Sequence, residues 1–147
     1  MSESSVTTPF HFPPMRPKIL TVDDSKKVRI IAQKALSSFD CDVSEAANGY
    51  NALFAMERSL PDLILLDVCM PIMNGLELLT LLKSKPALKR IPVIMLTSPG
   101  DHEVSQELTA LGINGTVMKP FTATALVEKI RSILDLTPLK PAAPGQS

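Results

Sequence analysis

Leu63-Ile64-Leu65-Leu66-Asp67 decides the fold. Four consecutive apolar residues leave neither face of a strand polar, so the segment belongs inside a sheet covered on both sides, the usual setting of a parallel strand. The run then ends on a carboxylate. Upstream, Lys18-Ile19-Leu20-Thr21-Val22 reads the same way and stops at Asp23-Asp24-Ser25. Val28, Ile31, Ala32, Ala35, Leu36 and Phe39 follow at helical spacing, with Ser25 placed to cap that helix. Asp42 to Ala46 predicts another strand, and Asn48-Gly49 turns into a helix carrying Leu53, Ala55, Met56 and Leu60 that Pro61 stops.

Downstream, a loop with Met70-Pro71 and Asn74-Gly75 leads into a helix through Leu76, Leu79 and Leu82. Pro92-Val93-Ile94-Met95-Leu96 is a fourth strand ending at Thr97-Ser98, and the helix through Val104, Leu108 and Leu111 ends at Gly112. Thr116-Val117-Met118 precedes Lys119-Pro120-Phe121 and a last helix with Leu126, Val127, Ile130, Ile133 and Leu134. Five strands alternating with five helices predict an α/β fold, a doubly wound parallel sheet with right-handed crossovers and helices on both faces.

The composition agrees. In 147 residues, 45% are hydrophobic and 20% charged, enough for one domain with its own core. Fifteen basic and fifteen acidic residues cancel, which argues against a nucleic-acid surface or an anionic-membrane binder. With no Trp, one Tyr and five Phe, stacking platforms for bases are lacking as well. Cys41 and Cys69 are too few and too far apart for a disulfide scaffold or a CxxC site, so a reducing cytoplasm is expected. No export signal opens the chain, and no stretch approaches the roughly 18 apolar residues of a membrane span. Pro9, Pro13, Pro14 and Pro17 crowd one end and Pro138, Pro141 and Pro144 the other. The expected organisation is a flexible tail over 1–16, a folded domain over 17–136 and a second tail over 137–147. Phe10-His11-Phe12 in the first tail is either a docking peptide or part of a mobile extension.

In open parallel sheets, ligands sit beyond the carboxyl ends of the strands. The residues found there are Asp23-Asp24, Asp67, Thr97-Ser98 and Lys119. Three converging carboxylates repel one another unless a cation joins them, and Mg²⁺, hard and oxygen-seeking, suits such a set. A lysine opposite, a threonine hydroxyl and a helix-start N–H suit a phosphoryl group, with Asp67 as its nucleophile. Each residue also has a plainer reading. Asp23 or Thr97-Ser98 can cap a helix, Lys119 can be a solvated loop lysine, and Pro120 a helix starter. The conjunction at one sheet edge is what favours chemistry.

Val22-Asp23-Asp24-Ser25, Asp67 with Met70-Pro71 and Asn74-Gly75-Leu76-Glu77-Leu78, Leu96-Thr97-Ser98 and Lys119-Pro120-Phe121 together resemble the receiver domains of two-component response regulators, above all the small chemotaxis-regulator type. The resemblance implies a flavodoxin-like (βα)5 sheet in strand order 2-1-3-4-5. It makes Asp67 the phosphoacceptor, Asp24 a direct Mg²⁺ ligand and Asp23 a second acid acting mainly through water, while Cys69 lends its backbone carbonyl to the metal. Lys119 would pair with the acceptor, Thr97 move toward the phosphate, Ser98 offer a backbone contact to the phosphoryl group, and the Lys119-Pro120 bond be cis.

Three positions depart from the family pattern. Asn74-Gly75 replaces the usual Asp-Gly and keeps the turn chemistry. Thr116 stands where an aromatic switch residue is usual, which leaves the signalling route open. Pro99 lies where the family tunes dephosphorylation and offers no side-chain hydrogen bond to an attacking water.

The leading expectation is a single-domain response regulator, not an enzyme in its own right. A histidine kinase or histidine phosphotransfer protein would be its donor, and a downstream protein would bind the face around helix 4, strand 5 and helix 5. His102, Glu103 and Gln106 are candidate exposed contacts there. The protein is expected as a monomer or a phosphorylation-dependent dimer, with no nucleic-acid or membrane partner. One alternative is a phosphorylation-independent receiver-like interaction module. The other is an aspartyl-phosphate-forming hydrolase, which predicts an acid two residues after the nucleophile where this chain has Cys69.

Overall fold

The computed structural model describes residues 16–139. The expectations for residues 1–15 and 140–147, including Phe10-His11-Phe12, lie outside the described residues. The elements in chain order are β1 Lys18–Val22, α1 Lys26–Leu36, β2 Asp42–Ala46, α2 Gly49–Arg58, β3 Leu63–Asp67, α3 Gly75–Ser84, β4 Val93–Thr97, a 3-10 turn Pro99–Asp101, α4 His102–Leu111, β5 Gly115–Met118 and α5 Ala123–Arg131. The five strands form one parallel sheet in the order β2-β1-β3-β4-β5.

Side-chain alternation along the strands builds two cores. Leu20, Val22, Ile64, Leu66, Val93 and Met95 meet α2, α3 and α4 on one face, through residues such as Met56, Leu79 and Leu108. Ile19, Leu63, Leu65, Ile94 and Leu96 meet α1 and α5 on the other, through Ala32, Leu36, Leu126 and Ile130. All five residues of β3 are buried. A fully buried leucine contributes about 1.5–3 kcal/mol, so this central strand anchors the sheet and fixes Asp67 at its end.

The helix starts are capped by the residues that end the preceding loops. Ser25 accepts from the Val28 N–H, Asn48 from Asn51 and Thr122 from Ala125. Asn74 and Glu77 form a reciprocal capping box, with the Glu77 N–H donating to Asn74 Oδ1 at 2.8 Å and the Asn74 N–H to Glu77 Oε1 at 2.9 Å. Gly112 ends α4 at φ 101°, a conformation that favours glycine.

The helical periodicity overshoots three helix ends. α1 stops at Leu36, although Phe39 still packs on the α1–α5 core. α2 stops at Arg58 and leaves Leu60 exposed, and α5 stops at Arg131, although Ile133 and Leu134 still pack on the α1–α5 core from the following turn. The chain also stays attached past residue 136. Leu136 is buried, Asp40 N–H donates to Thr137 O, and Leu139 N–H donates to Ser38 O, so 137–139 run antiparallel against the α1–β2 loop. Arg16 binds Asp40 on the same loop and Asp42 at the start of β2. Within the described residues both termini are therefore fastened to the edge opposite the strands' carboxyl ends.

Candidate functional site

The right-hand ends of β1 and β3 are neighbours because Val22 pairs with Leu66. The next residue in each strand is an aspartate, so Asp23 and Asp67 emerge side by side. Both are buried while Asp24 is exposed, and one carboxylate oxygen from each of the three lies within 4.8 Å of the others. Lys119 reaches in from the end of β5. Its Nζ donates to Asp67 Oδ1 at 2.9 Å and lies 2.8 Å from Asp23 Oδ2. Lys119 is positioned by its own N–H, which donates to Thr97 O at 2.7 Å, and its peptide bond to Pro120 is cis.

The electrostatics follow from burial. Loss of solvent pushes the Asp67 carboxyl up to about 6 against the pull of Lys119, and the Asp23 charge and Asp24 add to the rise. Burial works against the Lys119 ammonium, but its hydrogen bond to Asp67 and its charge contacts with Asp23 and Asp67 carry its pKa above the ordinary lysine value.

The residues fit a divalent cation. The contact of Lys119 with Asp23 Oδ2 falls short of hydrogen-bond geometry, so this fully buried carboxylate oxygen has no hydrogen-bond donor. An oxygen left thus beside two further carboxylates is the donor set that hard cations such as Mg²⁺ take. Asp24, open to solvent, leaves room for the waters Mg²⁺ retains.

The remaining predicted positions surround this cluster. Thr97 ends β4, half-buried, paired with Met118. Cys69 is exposed two residues after Asp67, and its N–H donates to Asp67 Oδ1 at 3.4 Å. The Ser98 N–H donates to Asp101 Oδ2 at 2.7 Å. Thr116, at the usual place of an aromatic, lines a cavity with Thr97, Asp101, His102 and Met118.

Three features of the site lie beyond the sequence reading. Arg29 donates to the Asp23 carbonyl at 2.8 Å and pairs with Glu45 at 2.9 Å, which ties the acidic loop to β2. Nothing in a lone arginine of an amphipathic helix signals that reach. Asp101 caps the β4–α4 loop, and here Ser98-Pro99-Gly100-Asp101 has the spacing of a capping box that would have shown it. Ile72, in the loop after Asp67, holds φ 74° with 78% of its surface exposed. A β-branched residue gives no hint of a left-handed backbone.

The buried Asp67 carboxyl makes a pH-dependent prediction for the protein in chelator. At about pH 3 and below, Asp67 is protonated in folded and unfolded chains alike. Above about pH 6 the unfolded chain ionises freely while the folded one does so at a cost, so Asp67 lowers stability as pH rises through that window. Asp67→Asn removes the cost. Urea unfolding in chelator should show a gain of about 3 kcal/mol at pH 7 and almost none at about pH 3, the size that a raise of about two pKa units implies. An equal change at both pH values would contradict the burial cost.

The receiver-domain family model "Response regulator receiver domain" matches residues 19–131. The chain is 36% identical over 119 residues to the chemotaxis protein CheY of Pseudomonas aeruginosa, covering 80% of this chain and 96% of that protein. It is 31% identical over 120 residues to the phosphate regulon transcriptional regulatory protein PhoB of Rhizobium meliloti, covering 82% of this chain and 53% of PhoB. It thus spans about half the length of that regulator and nearly all of the chemotaxis protein. Among solved structures, the chemotaxis response regulator CheY4 of Vibrio cholerae superposes with a TM-score of 0.76 at 32% identity, over 82% of this chain and all of CheY4. With the sheet order, the acidic cluster and its lysine in place, the chain belongs to the response regulator receiver domains.

Proposed function

We propose that this domain is a Mg²⁺-dependent phosphoacceptor switch in which Asp67 takes a phosphoryl group from a phosphohistidine on a histidine kinase or histidine phosphotransfer protein. One observation carries the reading: a buried carboxylate at the end of the central strand, in contact with a lysine ammonium and flanked by two more acids. In the transfer, an Asp67 carboxylate oxygen forms a bond to phosphorus as the phosphorus–nitrogen bond breaks, and the leaving imidazole keeps the electron pair. Asp23, Asp24, Asp67 and the Cys69 carbonyl would hold Mg²⁺, which supplies neutralising charge at the phosphoryl oxygens. Lys119 adds a fixed positive charge, and it already touches the acceptor oxygen. The Thr97 hydroxyl, at the end of the strand next to β3, is the group to engage the phosphoryl group as it forms.

The output is a change in protein contacts through α4, β5 and α5. The family itself supports a signalling role distinct from that of a turnover enzyme. Among the described residues no helix is long and apolar enough to cross a membrane, and we place the switch in the cytoplasm with its kinase. Incubation with Mg²⁺ and acetyl phosphate tests the reading by intact mass. The expected result is a single phosphoryl adduct on the wild-type chain, absent from Asp67→Asn and from a chelated sample. Native, metal-loaded protein that gains no adduct from either acetyl phosphate or a phosphorylated kinase would leave the phosphorylation-independent module as the better account.

A further inference from the structure

Asp101 joins the two loops that border the acceptor. Its Oδ2 accepts from the Ser98 N–H at 2.7 Å and its Oδ1 from the Cys69 thiol at 3.4 Å. Cys69 in turn donates its N–H to Asp67 Oδ1, so a single residue touches both carboxylates and places Asp101 at the rim of the acceptor site. Ser98 stands just past β4, whose Leu96 pairs with Asp67 itself. Its N–H is thus a donor at the carboxyl edge beside the acceptor, and in this state a carboxylate occupies it.

An N–H has one proton to give. A phosphoryl group on Asp67 brings about two negative charges and three strong acceptor oxygens to within a residue's width of Asp101. The two anions repel, and the phosphoryl oxygen is the stronger competitor for the Ser98 N–H. Asp101 closes the 3-10 turn Pro99–Asp101 and directly precedes α4, so losing this bond frees the start of that helix. Space exists for the movement, because the cavity lined by Thr97, Asp101, His102, Thr116 and Met118 adjoins the turn, with a small Thr116 in its wall.

We propose that Asp101 is the positioning residue of this switch: its carboxylate holds the Ser98 N–H in the unphosphorylated state and is displaced when a phosphoryl oxygen takes that N–H. The proposal rests on the reading of Asp67 as phosphoacceptor. It also supplies a route from the site to α4 that needs no aromatic residue at position 116.

Beryllofluoride with Mg²⁺, a tetrahedral phosphoryl mimic that adds to a carboxylate, tests this by calorimetry and by amide NMR on the wild-type chain, Asp101→Asn and Asp101→Ala. The near-isosteric Asn variant keeps the test valid if the Ala variant does not fold. Removing a charged competitor for one hydrogen bond should tighten beryllofluoride binding about five- to tenfold in both variants. In the wild-type chain the Ser98 and His102 amide signals should move on binding. In Asp101→Ala they should lie part-way to the bound position before any ligand is added. A merely structural cap predicts lower stability with unchanged or weaker binding. Affinities equal within twofold, weaker binding in both variants, or a Ser98 amide that does not move would each overturn the role of Asp101 while leaving the acceptor reading intact. A wild-type chain that binds no beryllofluoride would overturn both.

Discussion

Replacing Lys119 with methionine should slow phosphoryl gain from acetyl phosphate about a hundredfold, the usual consequence of removing one preorganised charge from a developing oxyanion. The ammonium contacts Asp67 Oδ1 at 2.9 Å and Asp23 Oδ2 at 2.8 Å, so the substitution removes positive charge from the proposed acceptor and from the acids proposed to hold the metal together. The two effects separate in the assay. The rate of adduct formation should fall, whereas Mg²⁺ affinity should rise several-fold, because a competing cation has left the carboxylate cluster. Methionine approximates the length and packing of the lysine stem, so the fold is retained. If rate and Mg²⁺ affinity fell in parallel, the lysine would be acting through the metal site alone.

Gly75→Ala should destabilise the domain by about 3 kcal/mol or more, measured as a lowered urea midpoint with an unchanged slope. A Cβ at this position would stand 2.2 Å from the Asp67 carbonyl oxygen and 2.9 Å from Val68 Cα, and backbone atoms cannot swing aside as a flexible side chain can. Gly75 also donates its N–H to Val68 O at 2.8 Å. The clash therefore falls on the segment that holds the acceptor, and the folded fraction should also form the phosphoryl adduct more slowly. The same exercise at Gly100 meets nothing within 4 Å. Gly100→Ala is thus the matched control, with a change near zero.

The elements of the fold were legible because burial on both faces leaves so direct a mark. β3 is four apolar residues and an aspartate, a string that suits a strand buried on both faces. Even the polar edge strand Asp42–Ala46 emerged with its bounds. Helix ends were less so. Leu60 continues the apolar pattern of α2 yet lies beyond Arg58 in solvent, since periodicity cannot tell a residue that faces the core from one after the chain has turned away.

The site was legible where one rule sufficed. A polar residue just past a parallel strand lies at the carboxyl edge, and pairing of Val22 with Leu66 then forces Asp23 and Asp67 together. Contacts that depend on side-chain reach were not legible. Arg29 crosses from α1 to both the Asp23 carbonyl and Glu45, and Cys69 turns its thiol to Asp101, 32 residues away. Spacing along one chain carries no record of such distances. The departure at Thr116 was visible as a missing ring, but the cavity that Thr116 lines beside Asp101 needed the packed structure.

The central claim is that the Asp67 carboxylate itself becomes phosphorylated, and trapping the acyl phosphate tests it most directly. Borohydride reduces an aspartyl phosphate to homoserine, a change that peptide mass mapping locates to one residue. After incubation with Mg²⁺ and acetyl phosphate, the account predicts homoserine at position 67 and unmodified side chains at Asp23 and Asp24. Homoserine at either of those two positions, or none anywhere in a chain that binds Mg²⁺, would contradict it.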